Sequence, residues 1–320
     1  MQQKKFRLGI VGCGKISTNH FNALHELSDH FELVSVCDKN AEQLKSASDK
    51  LNIQGFTDID TMIHANPDLD IITLCTPSGM HAEQTKRIAQ FKKHVITEKP
   101  MATRWLDGVE MVNACDNANV KLFVVKQNRH QPALQLLKRA LTKNRFGRIY
   151  LVNFNIFWTR PQSYYNQSKW RGTWEFDGGA FMNQASHYVD LVDWLIGPVQ
   201  SVQAMMSTLA TNIQTEDTGV LNIRWRSGAL GSMNVTMLTY PKNLEASLTI
   251  LGEKGTVKIG GTSANQIDHW EFDHTDEEDS KALELKSPPP LSPHFGHKIY
   301  YQNVYDTLCG KTTADTDGRD

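Results

Sequence analysis

Over its first 120 residues the chain alternates short β-branched runs with amphipathic stretches, and few folds accommodate such a pattern. FRLGIVG (6–12), FELVSVCD (31–38), DIITLCTP (70–77), HVITEKP (94–100) and KLFVVKQ (121–127) read as strands buried on both faces, because their apolar runs are nearly continuous. Between them, ISTNHFNALHEL, AEQLKSASDKL, HAEQTKRIAQF and WLDGVEMVNACDNA have helical spacing. Strand and helix in strict alternation build right-handed βαβ units, so the expectation is a doubly wound parallel sheet.

After one more helix, PALQLLKRALTKNRFG (132–147), the pattern changes. RIYLVNFNIFW, SVQAMMSTLAT, TGVLNIRWR, GALGSMNVTML, LEASLTILG and GTVKIGG alternate with a period of two, as an antiparallel sheet with one open face does. The fold expected is α/β: a Rossmann-type domain over residues 1–127, then an α+β domain over 128–320 with a large open, mainly antiparallel sheet. A length of 320 residues suits two domains with a cleft between them. Val220, Leu221 and Ile223 are expected on the open face, where another subunit could cover them. The acidic, proline-rich stretch 273–293 reads as a solvated surface loop, and YYQNVYDTLCGK as a closing helix.

Composition excludes several classes. Lys and Arg number 34 against 35 Asp and Glu, so the chain offers no field to attract nucleic acid or an anionic membrane. Five cysteines with neither CxxC spacing nor the density of a disulfide scaffold indicate reduced, cytosolic thiols, and no metal is expected. No apolar run approaches the ~18 residues of a membrane span. The opening MQQKKFRLGIVGCG lacks a signal-peptide core, so a soluble cytoplasmic protein is expected.

Four features carry chemistry. The first is the loop Gly12-Cys-Gly14-Lys-Ile-Ser17 between the first strand and the first helix. Glycines there let backbone approach a pyrophosphate, whose charge the helix N-terminus attracts. Asp38, 24 positions after Gly14 at the end of the second strand, would accept hydrogen bonds from ribose hydroxyls and repel a 2′-phosphate, favouring NAD over NADP. The second feature is a pair of strand ends, Thr76-Pro77-Ser78-Gly79-Met80-His81 and Glu98-Lys99-Pro100. Ligands of doubly wound sheets bind at carboxyl ends of strands, and an ammonium such as that of Lys99 is costly there unless it has work or a partner.

The third is GGAFMNQASHYVD (178–190). If it is helical, Asn183, His187 and Asp190 share one polar stripe. A lone helical histidine is more often structural, so His187 needs partners elsewhere to count as catalytic. The fourth is the segment 157–175, where Arg160, Lys169 and Arg171 alternate with Trp158, Tyr164, Tyr165, Trp170 and Trp174. Guanidinium groups bind phosphate or carboxylate bidentately and aromatic faces stack on bases or sugars; an exposed basic loop over core aromatics is the plainer reading.

Taken together, the glycine loop, the Glu98-Lys99-Pro100 tripeptide, and Trp170-Arg171-Gly172 leading into Gly178-Gly179 and a histidine helix resemble the Gfo/Idh/MocA oxidoreductases over essentially the whole chain. FWTRPQSYY (157–165) and KWRGTWEFDGGAFMNQASHYVDLVDWL (169–195) are most similar to that family's UDP-N-acetyl-2-amino-2-deoxy-D-glucuronate dehydrogenases of bacterial surface-polysaccharide synthesis. The family's Asp-x-x-x-His pattern has Asn183 in the aspartate position here, as in the nucleotide-sugar subgroup. Ser17 replaces the third glycine, and members normally continue past TDGRD into a further helix.

The resemblance implies NAD as cofactor and Lys99 and His187 as the catalytic pair. It implies cofactor contacts from Gly12, Gly14, Lys15, Ile16, Asp38, Thr76, Pro77, Ser78, His81, Glu98, Lys99, Gln127, Trp170 and Arg171. Substrate contacts would come from Lys99, Arg160, Gln162, Tyr164, Tyr165, Asn183, Gln184 and His187. The implied activity is NAD-dependent oxidation of the C3 hydroxyl of a UDP-sugar in lipopolysaccharide or O-antigen sugar synthesis. Reoxidation of the cofactor by 2-oxoglutarate and a homodimeric or homotetrameric assembly are further implications. Alternatives are an inositol-type sugar or polyol dehydrogenase, which would not need Arg160 with the paired tyrosines, and a non-catalytic NAD sensor, which would need neither Lys99 nor His187.

Overall fold

The computed structural model describes residues 4–319. They form two compact units: residues up to Gln127 together with Leu291 onward, and Asn128–Pro290.

The first unit runs β1 (Phe6–Val11), α1 (Ser17–Glu26), β2 (Phe31–Cys37), α2 (Ala41–Leu51), β3 (Gln54–Phe56), α3 (Ile59–Ala65), β4 (Ile71–Leu74), α4 (His81–Gln90), β5 (His94–Thr97), α5 (Trp105–Asn117) and β6 (Leu122–Val124). All six strands are parallel, in the order β3-β2-β1-β4-β5-β6. The order reverses between β1 and β4, where Leu8 pairs with Ile71 and Val11 with Leu74, and that switch point opens a crevice outside the strand ends. Asn40 starts α2 by accepting hydrogen bonds from the amides of Glu42 and Gln43, and Asp58 starts α3 by accepting from Thr61. β3 and α3 went unread in the sequence because three and seven residues are too short to show a period.

The second unit runs α6 (Pro132–Thr142), β7 (Ile149–Phe157), α7 (Gln162–Tyr165), α8 (Ser186–Ile196), β8 (Val199–Ser207), β9 (Thr218–Trp225), β10 (Leu230–Thr236), β11 (Glu245–Gly252), β12 (Gly255–Gly260), β13 (Gln266–Phe272) and α9 (Asp279–Glu284). The strand order is β13-β12-β11-β7-β10-β9-β8. Every pair is antiparallel except β7 with β10, where Phe154 lies beside Met233. A parallel pair needs a long connection, and residues 158–229, which carry α7, α8, β8 and β9, provide it. On the covered face Phe154, Ile156, Met233 and Leu248 pack with Leu134 and Leu137 of α6 and with Tyr188 and Leu191 of α8.

Three expectations need correction. Leu221 and Ile223 do not lie on the open face. They alternate with Val220, so Ile223 is buried and Leu221 packs against the core, while Val220 alone is turned outward. The acidic stretch is not simply solvated: Arg139 and Lys143 of α6 hold Glu278 and Asp276, and Arg145 grips Asp279 with two bonds of 2.6 and 3.0 Å. Residues 291–319 belong with the first unit. Their helix α10 (Phe295–Leu308) buries Tyr300, Tyr301, Val304 and Tyr305 against Phe6, Phe31 and α1. None of the described helices is long and apolar enough to cross a membrane.

Arg145 also stacks on Phe272 at 4.0 Å, so Arg145→Met is expected to lower stability by about 1–3 kcal/mol in chemical denaturation at pH 7. Its hydrogen bonds hold the Asp279 carboxyl at about 2, below its usual 3.8. A depressed carboxyl stabilises above its unfolded pKa, so the difference between Arg145→Met and the parent should shrink as pH falls from 4 through 2.

Candidate active site

At the carboxyl ends of β1 and β2 the chain forms a tight cradle. Gly12 has φ +96°, and a Cβ there would fall 2.7 Å from the Cys75 carbonyl, so only glycine lets the loop cross the end of β4. A Cβ at Gly14 would meet nothing nearer than Gln43 Oε1 at 3.9 Å; the outer face of the loop is clear for a pyrophosphate beside the start of α1. Ser17 occupies the third-glycine position because it is small and useful: fully buried, its hydroxyl donates to the Gly14 carbonyl at 2.7 Å. Asp38 accepts from the Cys13 and Asn40 amides, each at 2.7 Å, which fixes a carboxylate beside the loop with lone pairs left for ribose hydroxyls. Burial, then the Asp38 charge, pushes the Cys13 thiol up to about 12, so this cysteine is no nucleophile. The loop, the clear face over Gly14 and the strand-end acid fit a dinucleotide.

The two other strand ends are tied together from within. His81 is buried, and its ring nitrogens lie 3.0 Å from the carbonyls of Thr76 and Pro100, so it braces one segment against the other. Burial holds its pKa below the usual value. The Thr76 hydroxyl donates to Gln84 at 2.6 Å and Ser78 is buried. Glu98 at the end of β5 has a structural task within the fold. Its carboxylate is 4 % exposed and turns inward, where Oε1 accepts from His20 at 3.0 Å and His297 at 3.1 Å, while Oε2 accepts the Lys99 amide at 3.1 Å. Lys99 itself is half-buried at the end of the strand.

In the second unit, Tyr164 gathers most of the predicted anion-binding groups. Its hydroxyl meets Arg171 Nη1 and accepts from Gln184 at 2.8 Å, and the Arg171 and Arg160 guanidinium groups lie 4.1 and 5.4 Å from its ring centre. Arg160 donates to Gln184 at 2.9 Å, and Trp170 stacks on Arg171 at 4.8 Å. Gln162, Tyr165, Lys169 and Arg171 also line a recess with Asn212 and Gln214, and Gln162 accepts the Asn212 amide at 2.7 Å. Tyr165 is buried, which pushes its phenol up and rules it out as an acid near neutral pH.

The histidine segment departs from the single helix expected. Residues Ala180–Gln184 form a π-turn, closed by the Ala185 amide on the Ala180 carbonyl at 2.8 Å, and α8 begins only at Ser186. The cause is Glu216, whose backbone carbonyl and carboxylate take the amides of Ala180 and Phe181. The polar stripe is therefore broken. Asn183 bonds Asp177, whose other oxygen accepts the Gly172 amide at 2.8 Å, so the Trp-Arg-Gly turn is fastened to the histidine loop. Asp190 pairs bidentately with Arg129 at 2.8 and 2.7 Å. His187, 9 % exposed, sits in the first turn of α8. Sequence reasoning missed Asp177, Glu216, His20 and His297. Asp177 stands directly before the glycine pair and gave a local hint; the others are brought in from distant segments.

This fold and site define a class, the two-domain oxidoreductases built on a dinucleotide-binding sheet. Residues 6–126 match the model of the oxidoreductase family with an NAD-binding Rossmann fold, and residues 134–258 match the Gfo/Idh/MocA C-terminal domain. The chain belongs to the Gfo/Idh/MocA oxidoreductase family. It is similar to the WlbA dehydrogenase of Chromobacterium violaceum, solved with NADH and UDP-GlcNAcA: 56 % identity and a TM-score of 0.95, covering 100 % of this chain and 90 % of that one. The WlbA dehydrogenase of Bordetella pertussis, solved with the same two ligands, is 53 % identical with a TM-score of 0.95, covering 100 % and 92 %. Among sequence relatives, the D-apiose dehydrogenase of Paraburkholderia graminis is 26 % identical over 90 % of this chain and 74 % of that protein.

Proposed function

We propose that this chain is an NAD-dependent dehydrogenase that oxidises the C3 hydroxyl of UDP-N-acetyl-2-amino-2-deoxy-D-glucuronate to the 3-keto nucleotide sugar. The observation that carries this reading is the Arg160, Tyr164, Arg171 and Gln184 cluster, in a chain similar along its whole length to dehydrogenases solved with NADH and UDP-GlcNAcA. Such a substrate brings a pyrophosphate and a carboxylate, and a protein of net charge −1 must meet them with local cations.

When bound, NAD⁺ supplies the hydride-accepting carbon. The protein handles the proton: the His187 imidazole takes it from the C3 hydroxyl, while the Lys99 ammonium donates a hydrogen bond to the same oxygen as negative charge develops. Asn183, held by Asp177, orients the sugar without adding a charge, and Trp170 and Arg171 serve the cofactor. Incubating the protein with NAD⁺ and UDP-GlcNAcA, UDP-GlcNAc or myo-inositol, and following NADH, tests the assignment. Turnover confined to UDP-GlcNAcA is expected. Turnover of the polyol alone would point to an inositol-type enzyme, and cofactor binding without turnover to a sensor.

The keto product is suited to a following aminotransferase, and lipopolysaccharide or O-antigen sugar synthesis in the cytoplasm is the setting this reading assigns. Bound NADH is reoxidised by 2-oxoglutarate, so adding that acid should yield 2-hydroxyglutarate in step with the keto sugar. The active form is a homodimer or homotetramer. In support, Met205 on the edge strand β8 is 76 % exposed and pairs with outward Val220, and exposed Leu230 and Leu151 lie on the same open face. Met205→Asp is expected to shift the light-scattering mass to a smaller species; an unchanged mass would place the interface elsewhere.

A further inference from the structure

Behind Lys99 lies a chain of buried polar groups drawn from four separate segments. Thr73 Oγ1 is 3.1 Å from the Tyr301 hydroxyl, which is 2.9 Å from His20 Nδ1, and His20 Nε2 is 3.0 Å from Glu98 Oε1. His297 Nε2 meets the same oxygen at 3.1 Å, and its ring lies edge-on to that of His20, centres 4.8 Å apart. All five residues are buried. The protons can be placed. Glu98 as carboxylate accepts from both Nε2–H groups, which leaves His20 Nδ1 as an acceptor for the Tyr301 hydroxyl, and that hydroxyl in turn accepts from Thr73. Burial alone would raise the Glu98 pKa, but the His20 and His297 hydrogen bonds outweigh it and hold the carboxyl well below its usual range; burial likewise keeps His20 neutral. The remaining Glu98 oxygen accepts the Lys99 backbone amide at 3.1 Å, so the last link of the chain grips the residue proposed to stabilise the oxyanion.

A buried ionised carboxylate is costly and is held here by three donors, more than packing at this position needs. We propose that Glu98 is a positioning residue for Lys99, and that His20 and His297, with Tyr301 behind His20, hold its carboxylate so that it fixes the strand end from which the lysine projects. Two of these supports, His297 and Tyr301, come from α10, so the final helix of the chain supports the reaction centre of the first unit. The trio His20, Glu98 and His297 has ligand atoms within 4.8 Å of one another, the spacing of a metal site. The 3.0 and 3.1 Å separations and the placed protons describe hydrogen bonds instead.

The inference rests on the proposed role of Lys99, and a double-mutant cycle separates the two. Turnover of UDP-GlcNAcA and NAD⁺ is measured for Lys99→Met, Glu98→Gln and the double variant, with pH profiles of kcat. Glu98→Gln is expected to lower kcat about 10-fold or more with both KM values little changed, and to move the basic limb of the profile to lower pH, since a negative charge beside the strand end that carries Lys99 is gone. In the Lys99→Met background the same change should have no further effect. Tyr301→Phe, which removes only a hydroxyl and keeps the ring packed, should give a smaller loss of kcat with the limb unmoved, since the Glu98 charge remains.

A Lys99→Met variant of normal turnover overturns the proposed role of Lys99, on which the inference rests. An inactive Lys99→Met beside a Glu98→Gln variant of normal turnover and profile overturns only the inference. So do independent, additive losses in the cycle, or stoichiometric metal in the purified protein that His297→Gln removes. If Glu98→Gln does not fold, Tyr301→Phe decides alone, and a kcat equal to the parent's overturns the inference.

Discussion

Replacing His187 by Asn, or Lys99 by Met, should lower hydride transfer about 10²-fold or more, the loss expected of a group in general acid–base or oxyanion work. Neither change touches the glycine loop or Asp38, so NADH binding followed by fluorescence should stay within a few-fold of the parent. His187 sits in the first turn of α8 and is nearly buried, so Asn keeps a polar group of smaller volume there without stranding a charge. Met matches the lysine stem and removes only the ammonium. Near-normal kcat in both variants would sink the assignment. A fall in one alone would leave that residue as the proton acceptor and reduce the other to a bystander.

Gly179→Ala should be nearly as damaging for a different reason. Gly179 has φ +102° and ψ −174°, a region essentially closed to residues with a side chain, at a cost of about 1–3 kcal/mol. A Cβ there would also fall 2.1 Å from Glu216 Oε2, inside the carboxylate that holds the Phe181 amide. Burial raises the Glu216 pKa, although amide donors oppose it, so that group is already poorly solvated and has little room to retreat. The π-turn must then shift and carry His187 with it. Turnover should fall more than about 10-fold while NADH binding weakens less, since the glycine loop and Asp38 belong to the other unit. Adding Glu216→Ala removes the clash but not the backbone strain and should restore only part of the activity. Full restoration would show that sterics alone set the requirement for glycine, and wild-type activity in Gly179→Ala itself would overturn the reading.

Much of this was legible in residue order. The parallel strands, the glycine loop, the strand-end acid and the period-two second half declared themselves through local pattern, as β1 and β7 illustrate: one buried at nearly every position, the other with Val152, Phe154 and Ile156 inward in alternation. The predicted cations Arg160 and Arg171 were visible by type and spacing, though their meeting on Tyr164 was not. The acidic stretch 273–293 looked solvated because its partners Arg139, Lys143 and Arg145 lie more than a hundred residues away in sequence.

What the sequence alone determined is therefore most of the longer local elements, the cofactor class and the residue types the chemistry needs, since these follow from hydrophobic period and from motifs a few residues long. Tertiary structure decided how those residues are held. The π-turn before His187 exists because Glu216 reaches across from the start of β9, and Glu98 turns inward because His20 of α1 and His297 of α10 wait for it in the core. Hydrogen bonds to a buried carboxylate form between groups that only folding brings together, and no local period records them.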